Sequence, residues 1–468
     1  ELSARERLRV IAYANYRDYQ DDYRYVVSEG NVQLATTLDF NRTAERYALE
    51  LQHILQPLDS LRVVWGGEVR RDESDAATLF RQGNPANDDM LRLFGNVEWR
   101  LEEALTVNLG AMLEDHDLTG TAFSPRFALN WHLHPRHTLR FAASRSVRVP
   151  SLFEAGADAY NTVDIGYSPS APGYPALDGQ PDAIFQEWRT QGSPDNETVD
   201  NFELGWLFDL SPELGLRGDV KLFYEQYDDL LFEYQYPMPL RDDLALCDPV
   251  QNPLVAKGID GYIPDIADML ERDRAPDPWT KESGDACNLH TGFNNQEGLL
   301  GPVSLSFANQ VALDIYGIET SLEWRPTSRV RVIGSYSLAK LRNLEMLRPA
   351  LLDNDFTNRD GNWLDRVRDD LQKSVPSHVL SVLAIYRPRD DLTLSAALYH
   401  VGDVTHLEDG GSIDSWNRLD LRAAKRFEAG AWRGEVYAVV QNAGRDYPDF
   451  ENKNVFDTRL FAGIRLYQ

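Results

Sequence analysis

Apolar and polar residues alternate along most of this chain, a pattern typical of β-strands whose two faces lie in different environments. From Leu105 to Leu113 every odd-numbered residue is apolar, while Thr106, Asn108 and Glu114 occupy the other face. Such segments run for about nine to eleven residues, which is the length that a tilted strand needs to cross a bilayer. The alternation therefore predicts long strands with one apolar face and one polar face.

The pattern recurs often enough to predict an all-β protein with sixteen strands. These strands lie near residues 7–18, 44–56, 61–73, 90–101, 104–115, 123–134, 137–147, 200–210, 214–232, 310–325, 328–341, 377–387, 391–402, 415–427, 432–442 and 457–467. A soluble β-sandwich would show the same alternation. Nearly every strand, however, carries charged residues on its polar face, which favours a transmembrane antiparallel β-barrel with a wet lumen.

The connections between the predicted strands differ in length in a regular way. Short ones at 56–60, 101–103, 134–137, 211–213, 326–328, 388–390 and 428–430 alternate with long ones near 19–43, 74–89, 148–199, 233–309, 342–376, 403–414 and 443–456. Outer-membrane barrels have short periplasmic turns and longer extracellular loops. We therefore predict strict alternation of turns and loops, and a location in the outer membrane of a Gram-negative bacterium.

Composition excludes several other classes of protein. The chain has 47 Lys and Arg against 74 Asp and Glu, a formal net charge of −27, so it lacks the basic face that nucleic acid requires. No run approaches 18 uninterrupted apolar residues, which excludes a transmembrane helix. The first residues, Glu1–Arg7, lack the plan of a signal peptide, so we expect a chain that is either cytoplasmic or already trimmed.

One segment has a specific sequence resemblance. After the strand that ends near 147 the chain reads Arg-Val-Pro-Ser-Leu-Phe-Glu, so that Arg148, Pro150 and Glu154 resemble the Arg-x-Pro-Ser-Leu-x-Glu stretch of TonB-dependent outer-membrane receptors. Further segments resemble later parts of the same family in the same order. They contain Glu203 with Gly205, Gly317 with Glu319, Pro376 with His378, and Asn442.

The resemblance implies a fold. Receptors of this family have a barrel of about twenty-two strands around an N-terminal plug domain. Sixteen strands would make residues 1–468 the C-terminal portion of such a barrel, with no separate second domain. The other strands and the plug domain would be absent from this chain.

The resemblance also implies a function. It points to an active-transport receptor that takes up a scarce nutrient, most often an iron–siderophore complex, and that is energised by TonB. Implied partners are the TonB system, reached through the missing plug, outer-membrane lipid and lipopolysaccharide, and a small-molecule ligand. The alternative is a passive porin, which shares the turns, loops and alternation but needs no plug. The chain shows no catalytic constellation, so we predict that it is not an enzyme.

Candidate metal and cofactor chemistry is sparse. His132, His134 and His137 surround one predicted turn, but no Cys or carboxylate cluster completes a metal site, so we expect lumen-facing polar residues there. Haem receptors of the family carry a ligand His after the Arg-x-Pro segment. Residues 148–200 contain no His, which disfavours haem uptake. We predict no metal site and no cofactor, with calcium bound to the acidic loops as an open alternative.

Aromatic residues stand among Gly and Pro in the predicted external loop that follows the Arg-x-Pro segment. They are Tyr160, Tyr167, Tyr174, Phe185 and Trp188. Aromatic side chains in an exposed loop either pack the loop or stack on a planar or sugar-like ligand. The sequence leaves both alternatives open, and these five residues are candidates for a ligand-binding surface.

Two predicted external loops are acidic. Residues 148–200 and 235–305 together carry 14 of the 27 excess negative charges, which would repel anions within about a Debye length of 8 to 10 Å. We therefore expect a preference for uncharged or cationic ligands, against a plain solvated surface as the alternative. Cys247 and Cys287 share the second loop, where they either form a disulfide or remain two free thiols.

Overall fold

A computed structural model describes most of the chain. The described residues are 3, 5–29, 32–81, 85–167, 176–177, 179, 183–211, 213, 215–237, 303–348, 363–405, 411–430 and 432–467. They form β-strands almost throughout, with two helices in connections between strands. The all-β interpretation of the sequence is therefore confirmed.

The strands are numbered in chain order. They are β1 (Glu6–Tyr19), β2 (Asp22–Glu29), β3 (Val32–Asp39), β4 (Arg42–Leu58), β5 (Leu61–Asp75), β6 (Ala86–Glu102), β7 (Leu105–His116), β8 (Gly120–His134), β9 (His137–Arg148), β10 (Asp158–Tyr167), β11 (Ala183–Arg189), β12 (Glu197–Ser211), β13 (Leu216–Pro237), β14 (Val303–Thr327), β15 (Val330–Met346), β16 (His378–Arg389), β17 (Leu392–Val401), β18 (Val404–Thr405), β19 (Ser412–Ile413), β20 (Trp416–Ala429), β21 (Trp432–Gln441), β22 (Tyr447–Asp449), β23 (Glu451–Phe456) and β24 (Arg459–Tyr467). The helices are α1 (Leu152–Gly156) and α2 (Trp363–Lys373).

Sixteen of these strands form one continuous antiparallel wall. Its order is β1, β4 to β9, β12 to β17, β20, β21 and β24, and each strand pairs with the next. These are the sixteen strands that the alternation predicts, with bounds that differ by a few residues at most ends. Within the described part of the chain no pairing joins β24 to β1, and no segment forms a plug.

The two faces of the wall differ as the alternation predicts. Leu49 on β4 lies beside Val69 on β5, which lies beside Leu91 on β6, and all three side chains are about half exposed. On the opposite face of the same strands, Glu68 and Arg92 form an ion pair. Soluble proteins rarely expose so many contiguous apolar side chains. The apolar face therefore suits lipid, and the polar face lines the lumen.

The connections depart from strict alternation at one place. The connection between β7 and β8 contains only Asp117–Thr119, although it lies at the end of the wall where the long connections lie. Strands β7 and β8 remain paired as far as His116 and Gly120, so a tight turn suffices to join them. The prediction of strict alternation is therefore wrong at this connection.

Several long connections contain strands that the alternation does not predict. Strands β2 and β3 pair with each other, β3 pairs with β10, β10 pairs with β11, and β11 runs parallel to β14. We call β2, β3, β10 and β11 the loop sheet. It joins the connection after β1 to the connection after β9 and to the extended start of β14. Segments 19–43 and 148–199 are thus strand-containing rather than plain loops.

Both helices lie in connections. Helix α1 begins after Ser151, whose side chain accepts a hydrogen bond from the backbone N–H of Glu154 in a capping box. Helix α2 packs Leu371 into an apolar cluster with Val311 and Met346, above the wall formed by β14 and β15. Among the described residues, no helix is both long enough and apolar enough to span a membrane.

Candidate functional site

Arg148 joins the end of β9 to α1 and to β12. Its Nη1 and Nη2 atoms each donate to a carboxylate oxygen of Glu154 at 3.0 Å, and its Nε donates to Glu197. Glu197 also accepts a hydrogen bond from the backbone N–H of Leu231 on β13, at 2.7 Å. Bidentate arginine–carboxylate pairs fix orientation as well as distance. The geometry therefore holds α1 against the wall at the residues that carry the family resemblance.

Glu154 is held in its ionised form. The backbone N–H of Glu154 donates to the Ser151 hydroxyl oxygen at 3.2 Å, and the Glu154 carboxylate accepts a hydrogen bond from the backbone N–H of Ser151 at 2.7 Å. Burial raises the pKa of Glu154, but the hydrogen bonds from Arg148 and Ser151 lower the pKa by more than burial raises it. The pKa of Glu154 therefore lies below its usual value. A negative charge near the start of α1 also suits the positive end of a helix.

An aromatic cluster holds three connections together above the wall. Phe153 of α1 lies 6.3 Å from Phe80, 5.6 Å from Trp188 and 5.9 Å from Phe307, measured between ring centroids. Trp188 stacks on Phe307 at 5.8 Å. Phe80 comes from the β5–β6 connection and Trp188 from β11. Since such pairs stabilise beyond the area that they bury, the cluster fixes α1, β11 and β14 relative to one another.

Of the five aromatic candidates for ligand binding, Trp188 therefore packs the connection. Its indole Nε1 is buried without a hydrogen-bond partner. Tyr160 and Tyr167 lie on β10 and Phe185 lies on β11, while Tyr174 falls outside the described residues. The loop sheet brings β10 and β11 together but does not decide whether these residues bind a ligand.

The second acidic loop is almost entirely outside the described residues. Cys247 and Cys287 both fall there, as does most of 235–305. The disulfide and the effect of that loop on charged ligands stay predictions.

A cavity of about 420 Å³ lies on the lumen side of the wall, below the segment that leads from β9 into α1. Val149–Leu152 form part of its lining. Its walls come from β1, β4, β5, β6 and β7, together with the turn after β7. The lining residues from these walls are Asn15, Arg17, Tyr19, Ala44, Glu45, Arg46, Arg70, Asp72, Glu73, Ser74, Asp88, His116 and Leu118.

Arginines outnumber their partners in this cavity. Arg46 donates two hydrogen bonds to Asp72. Arg70 Nε forms an ion pair with Asp72 Oδ2 at 3.0 Å. The angle of this contact is not that of a hydrogen bond, so the buried Nε has no hydrogen-bond partner. Arg17 donates to the Tyr19 hydroxyl at 3.2 Å. The Asp72 carboxylate therefore pairs with two guanidinium groups. The third guanidinium, that of Arg17, hydrogen-bonds only the Tyr19 hydroxyl among the described contacts.

A buried histidine–aspartate pair forms another part of the lining. His116 Nδ1 lies 2.7 Å from Asp88 Oδ2, and the two side chains are only 3% and 8% exposed. Asp88 Oδ1 also accepts a hydrogen bond from the backbone N–H of Leu118 at 3.3 Å. The other ring nitrogen, His116 Nε2, is buried without a partner. His116 therefore uses one ring nitrogen to join β7 to β6 through Asp88.

The neighbouring part of the lumen wall is fully paired. Arg92 Nη1 lies 2.6 Å from Glu68, and Nη2 lies 2.6 Å from Glu114, so one guanidinium bridges β5, β6 and β7. Both carboxylates are almost completely buried. This network satisfies its own charges, and it therefore supports the wall rather than offering a site.

The other residues of the family resemblance also lie on the wall. Lys221 Nζ lies 2.8 Å from Glu319 and 3.7 Å from Glu203, so it bridges β12, β13 and β14. A side chain at Gly317 would come within 2.0 Å of the Leu338 carbonyl oxygen and 2.7 Å of the Phe223 ring. Glycine is therefore required there by close packing.

Two further motif residues also serve the architecture. Gly205 makes room for the Arg140 guanidinium, which a side chain there would approach within 2.9 Å. Asn442 is buried in a left-handed conformation, with φ 53°. Its side chain donates to the Phe456 carbonyl at 3.1 Å and its carbonyl accepts from Thr458 at 2.6 Å, which closes the connection between β21 and β24.

The three histidines at the turn between β8 and β9 make other contacts. His132 bonds Thr138 at 3.0 Å, and His137 stacks on Trp206 with ring centroids 5.9 Å apart. His134 and His137 lie 6.1 Å apart, measured between ring centroids. Across the described residues, no group of three or more His, Cys, Asp or Glu side chains is arranged to hold a metal ion.

Sequence reasoning did not single out Arg17, Arg70 or His116. Each stands on the polar face of its strand, which is the one signal that the sequence offers for them. That signal assigns many residues to the lumen equally, and only the register between β1, β4, β5, β6 and β7 brings these three together.

Comparisons with solved structures agree with this architecture. The siderophore receptor PirA from Pseudomonas aeruginosa is 13% identical with a TM-score of 0.56, covering 100% of this chain and 69% of its own. A variant of the ferric enterobactin receptor PfeA from the same organism is 12% identical with a TM-score of 0.58, over 99% and 62%. The ferric-catecholate import receptor Fiu from E. coli K12 is 11% identical with a TM-score of 0.55, over 100% and 62%. At these identities the likeness concerns the fold, and the chain spans about two thirds of each structure.

The family is shown by a sequence model. A search of curated protein sequences finds no match. The family model described as "TonB dependent receptor-like, beta-barrel" matches residues 2–443, nearly the whole chain. That match agrees with the sixteen-strand wall, with its apolar outer face and with the motif residues on β9, β12 and β14 and directly after β21. The chain belongs to the TonB-dependent receptor family, as a large part of the outer-membrane β-barrel of such a receptor.

Proposed function

We propose that this barrel takes up an iron–siderophore complex across the outer membrane, with energy supplied through TonB. The carrying observation is the family match over residues 2–443. Solved structures that resemble the chain are named as siderophore and ferric-catecholate receptors, which supports iron complexes as the ligand class. The protein would act as a receptor and pore, and its chemistry would be binding rather than bond breaking.

The partners follow from the same proposal. TonB would act through a plug domain, the apolar face would contact lipid, and the long connections would contact lipopolysaccharide and ligand. Tyr160, Tyr167, Tyr174, Phe185 and Trp188 remain candidates for the ligand surface. The packing of Trp188 against Phe307, with its indole nitrogen buried, supports a structural contribution from that residue.

The test is uptake of radioactive iron by intact cells that contain or lack the gene for this protein. Cells are starved of iron and offered ferric siderophores of several chemical classes. We expect one class to be taken up only when both the gene and tonB are present. TonB-dependent uptake of cobalamin instead of iron would support the transport mechanism but would contradict the proposed iron–siderophore substrate. Gene-dependent diffusion of small solutes without TonB would instead identify the passive porin.

A further inference from the structure

We propose that a groove on the lipid-facing side of the barrel binds one phospholipid of the periplasmic leaflet, with an acyl chain in the groove and the lipid phosphate at Lys425. The groove crosses β16, β17, β20 and β21, and Lys425 stands on β20 beside its periplasmic edge. The inference rests on the place of the barrel in the outer membrane and not on the proposed iron transport.

The groove has small side chains between larger ones. Its small residues are alanines, one from each of the four strands: Ala384, Ala396, Ala423 and Ala438. Tyr386, Leu394 and Leu421 stand beside these alanines in the strand register and reach further from the wall. A space of about 480 Å³ is left between them. The outer face of the barrel is therefore recessed here rather than flat.

The recess faces lipid. Tyr386, Leu394 and Leu421 are 48%, 39% and 40% exposed, and by strand alternation they share the outer face with the alanines. Arg422, which adjoins the groove, belongs to the lumen face and pairs there with Glu435. An unfilled recess would lose dispersion contacts on one side. A flexible hydrocarbon chain is the occupant that fills such an apolar space within a bilayer.

Lys425 lies at the level of the lipid headgroups. It follows Ala423 by two residues on the same face, and its cross-strand neighbour on β17 is Leu392, next to the turn after β16. The row of residues that contains Lys425 lies one step closer to the periplasmic turns than the row that contains Tyr386. Since aromatic residues mark the membrane interface and a lysine extends its ammonium group toward water, Lys425 reaches the headgroup region.

The charge of Lys425 is not neutralised by the protein. Among the described residues it makes no ion pair and no side-chain hydrogen bond, and it is exposed. The nearest turns contribute two carboxylates, and both are engaged. Asp391 pairs with Arg389 at 3.3 Å, and Glu428 pairs with Arg433 at 3.4 Å. An anionic group from the membrane is therefore the partner that suits Lys425.

The level of Lys425 also decides the class of lipid. The periplasmic leaflet of an outer membrane consists of phospholipids, whereas lipopolysaccharide occupies the opposite leaflet. Every phospholipid carries a phosphate at this level. Phosphatidylglycerol keeps its negative charge, while phosphatidylethanolamine also carries an ammonium group that Lys425 would repel. The site should therefore prefer phosphatidylglycerol.

Native mass spectrometry of the purified protein in neutral detergent tests the proposal by titration with each lipid. We expect one phosphatidylglycerol to be retained more tightly than phosphatidylethanolamine. Lys425→Met should weaken retention of phosphatidylglycerol about fivefold and remove the preference, because one lysine near an anionic surface contributes about that factor. Ala423→Leu should weaken both lipids by the same factor, because the added side chain fills the groove.

Each variant has a matched control. Lys340→Met removes an exposed lysine from the outer face near the extracellular end of β15, where it opposes Tyr316. Ala111→Leu adds a leucine to the outer face of β7, between Gly95 and Pro125. The proposal is overturned if the unsubstituted protein shows no preference, or if the controls weaken retention as much as the variants do. A dimer that Ala423→Leu dissociates would also overturn it, because the groove would then hold a second copy of this chain.

Photo-crosslinking locates the lipid on the unsubstituted protein. The probe is phosphatidylglycerol with a diazirine in its acyl chain, incorporated into bilayer nanodiscs. Labelling should concentrate in the peptides that contain Ala384–Tyr386, Leu394–Ala396 and Leu421–Ala423, and unlabelled phosphatidylglycerol should reduce it there. Equal labelling of the outer faces of β4 to β7 would show general contact with lipid and would overturn the site.

Discussion

Replacement of Arg148 by Met should loosen α1 while the barrel wall stays intact. The substitution keeps an apolar stem but removes three charge-assisted hydrogen bonds, two to Glu154 and one to Glu197. Both carboxylates are mostly buried, so without Arg148 their negative charges would lose the positive charge that stabilises them. Thr190 still donates to the Glu154 carbonyl at 2.9 Å, so α1 should open more often rather than be lost.

The magnitude follows from the exposure of the partners. A hydrogen bond to a charged group contributes about 1.5 to 3 kcal/mol, whereas an exposed ion pair contributes about 0.2 to 1 kcal/mol. The Arg148 side chain is 49% exposed, which places the total near the lower range, at about 2 kcal/mol. Since about 1.4 kcal/mol corresponds to a factor of ten, local opening should become roughly 30 times more frequent.

Hydrogen–deuterium exchange in detergent measures this opening directly. The reporters are the backbone N–H groups of Ala155 and Ala157, which donate to Ser151 and Phe153 at 2.9 Å. Their exchange should accelerate roughly 30-fold, in line with the ~2 kcal/mol loss, while wall peptides remain unchanged. The matched control is Arg145→Met, because Arg145 binds Asp200 in a comparable bidentate pair, away from α1. An unchanged rate at both reporters, or equal acceleration in the control, would refute this reasoning.

Four further predictions address topology, pH, the disulfide and ligand charge. A tag in the 233–309 connection of intact cells should be reachable from outside, and a tag beside Pro388 should not; the opposite labelling would reverse the orientation. The pKa of Glu154 is lower in the folded protein than in the unfolded chain. Its carboxylate therefore stabilises α1 fully at pH values above the unfolded pKa, and this stabilisation is lost as the pH falls through the folded pKa. Exchange in α1, corrected for the intrinsic rate, should therefore rise at acid pH, and the Glu154→Gln variant should lose that dependence. Mass spectrometry without reduction should find Cys247 joined to Cys287, closing a loop worth roughly 3 to 4 kcal/mol, and two free thiols would exclude the bond. Anionic iron complexes should associate more slowly than matched neutral ones at low salt, with a difference that shrinks as salt rises, and equal rates at both salt levels would remove the predicted repulsion.

The sixteen wall strands were predictable because each has lipid-facing and lumen-facing residues, which differ in polarity at every step. The loop sheet was not, since its strands bury both apolar and polar residues. Ala35 on β3 and Asp164 on β10 are both buried, and Asp164 accepts a hydrogen bond from the backbone N–H of Gly179 at 2.6 Å. Polarity there no longer reports which face is covered, so the period-two signal fades.

The cavity could not be predicted for a different reason. Arg17, Arg70 and His116 are distant in sequence, and each is an ordinary polar residue on its own strand. Their convergence depends on the register of four consecutive strand pairs, and a slip by one residue would turn a side chain to the other face. Sequence alternation assigns a residue to the lumen, but it does not align lumen residues between strands.

The residues of the family resemblance stabilise the barrel, whereas the residues of the cavity belong to no motif. Arg148 and Glu154 turn the chain over the lumen wall, and Gly317 allows a close side-chain contact, so these positions serve the barrel whatever the ligand is. Arg17, Arg70 and His116 have unused hydrogen-bonding capacity and belong to no motif. A motif shared by receptors for different ligands has no means of specifying one ligand. The residues that select a ligand should therefore be sought outside the motif segments.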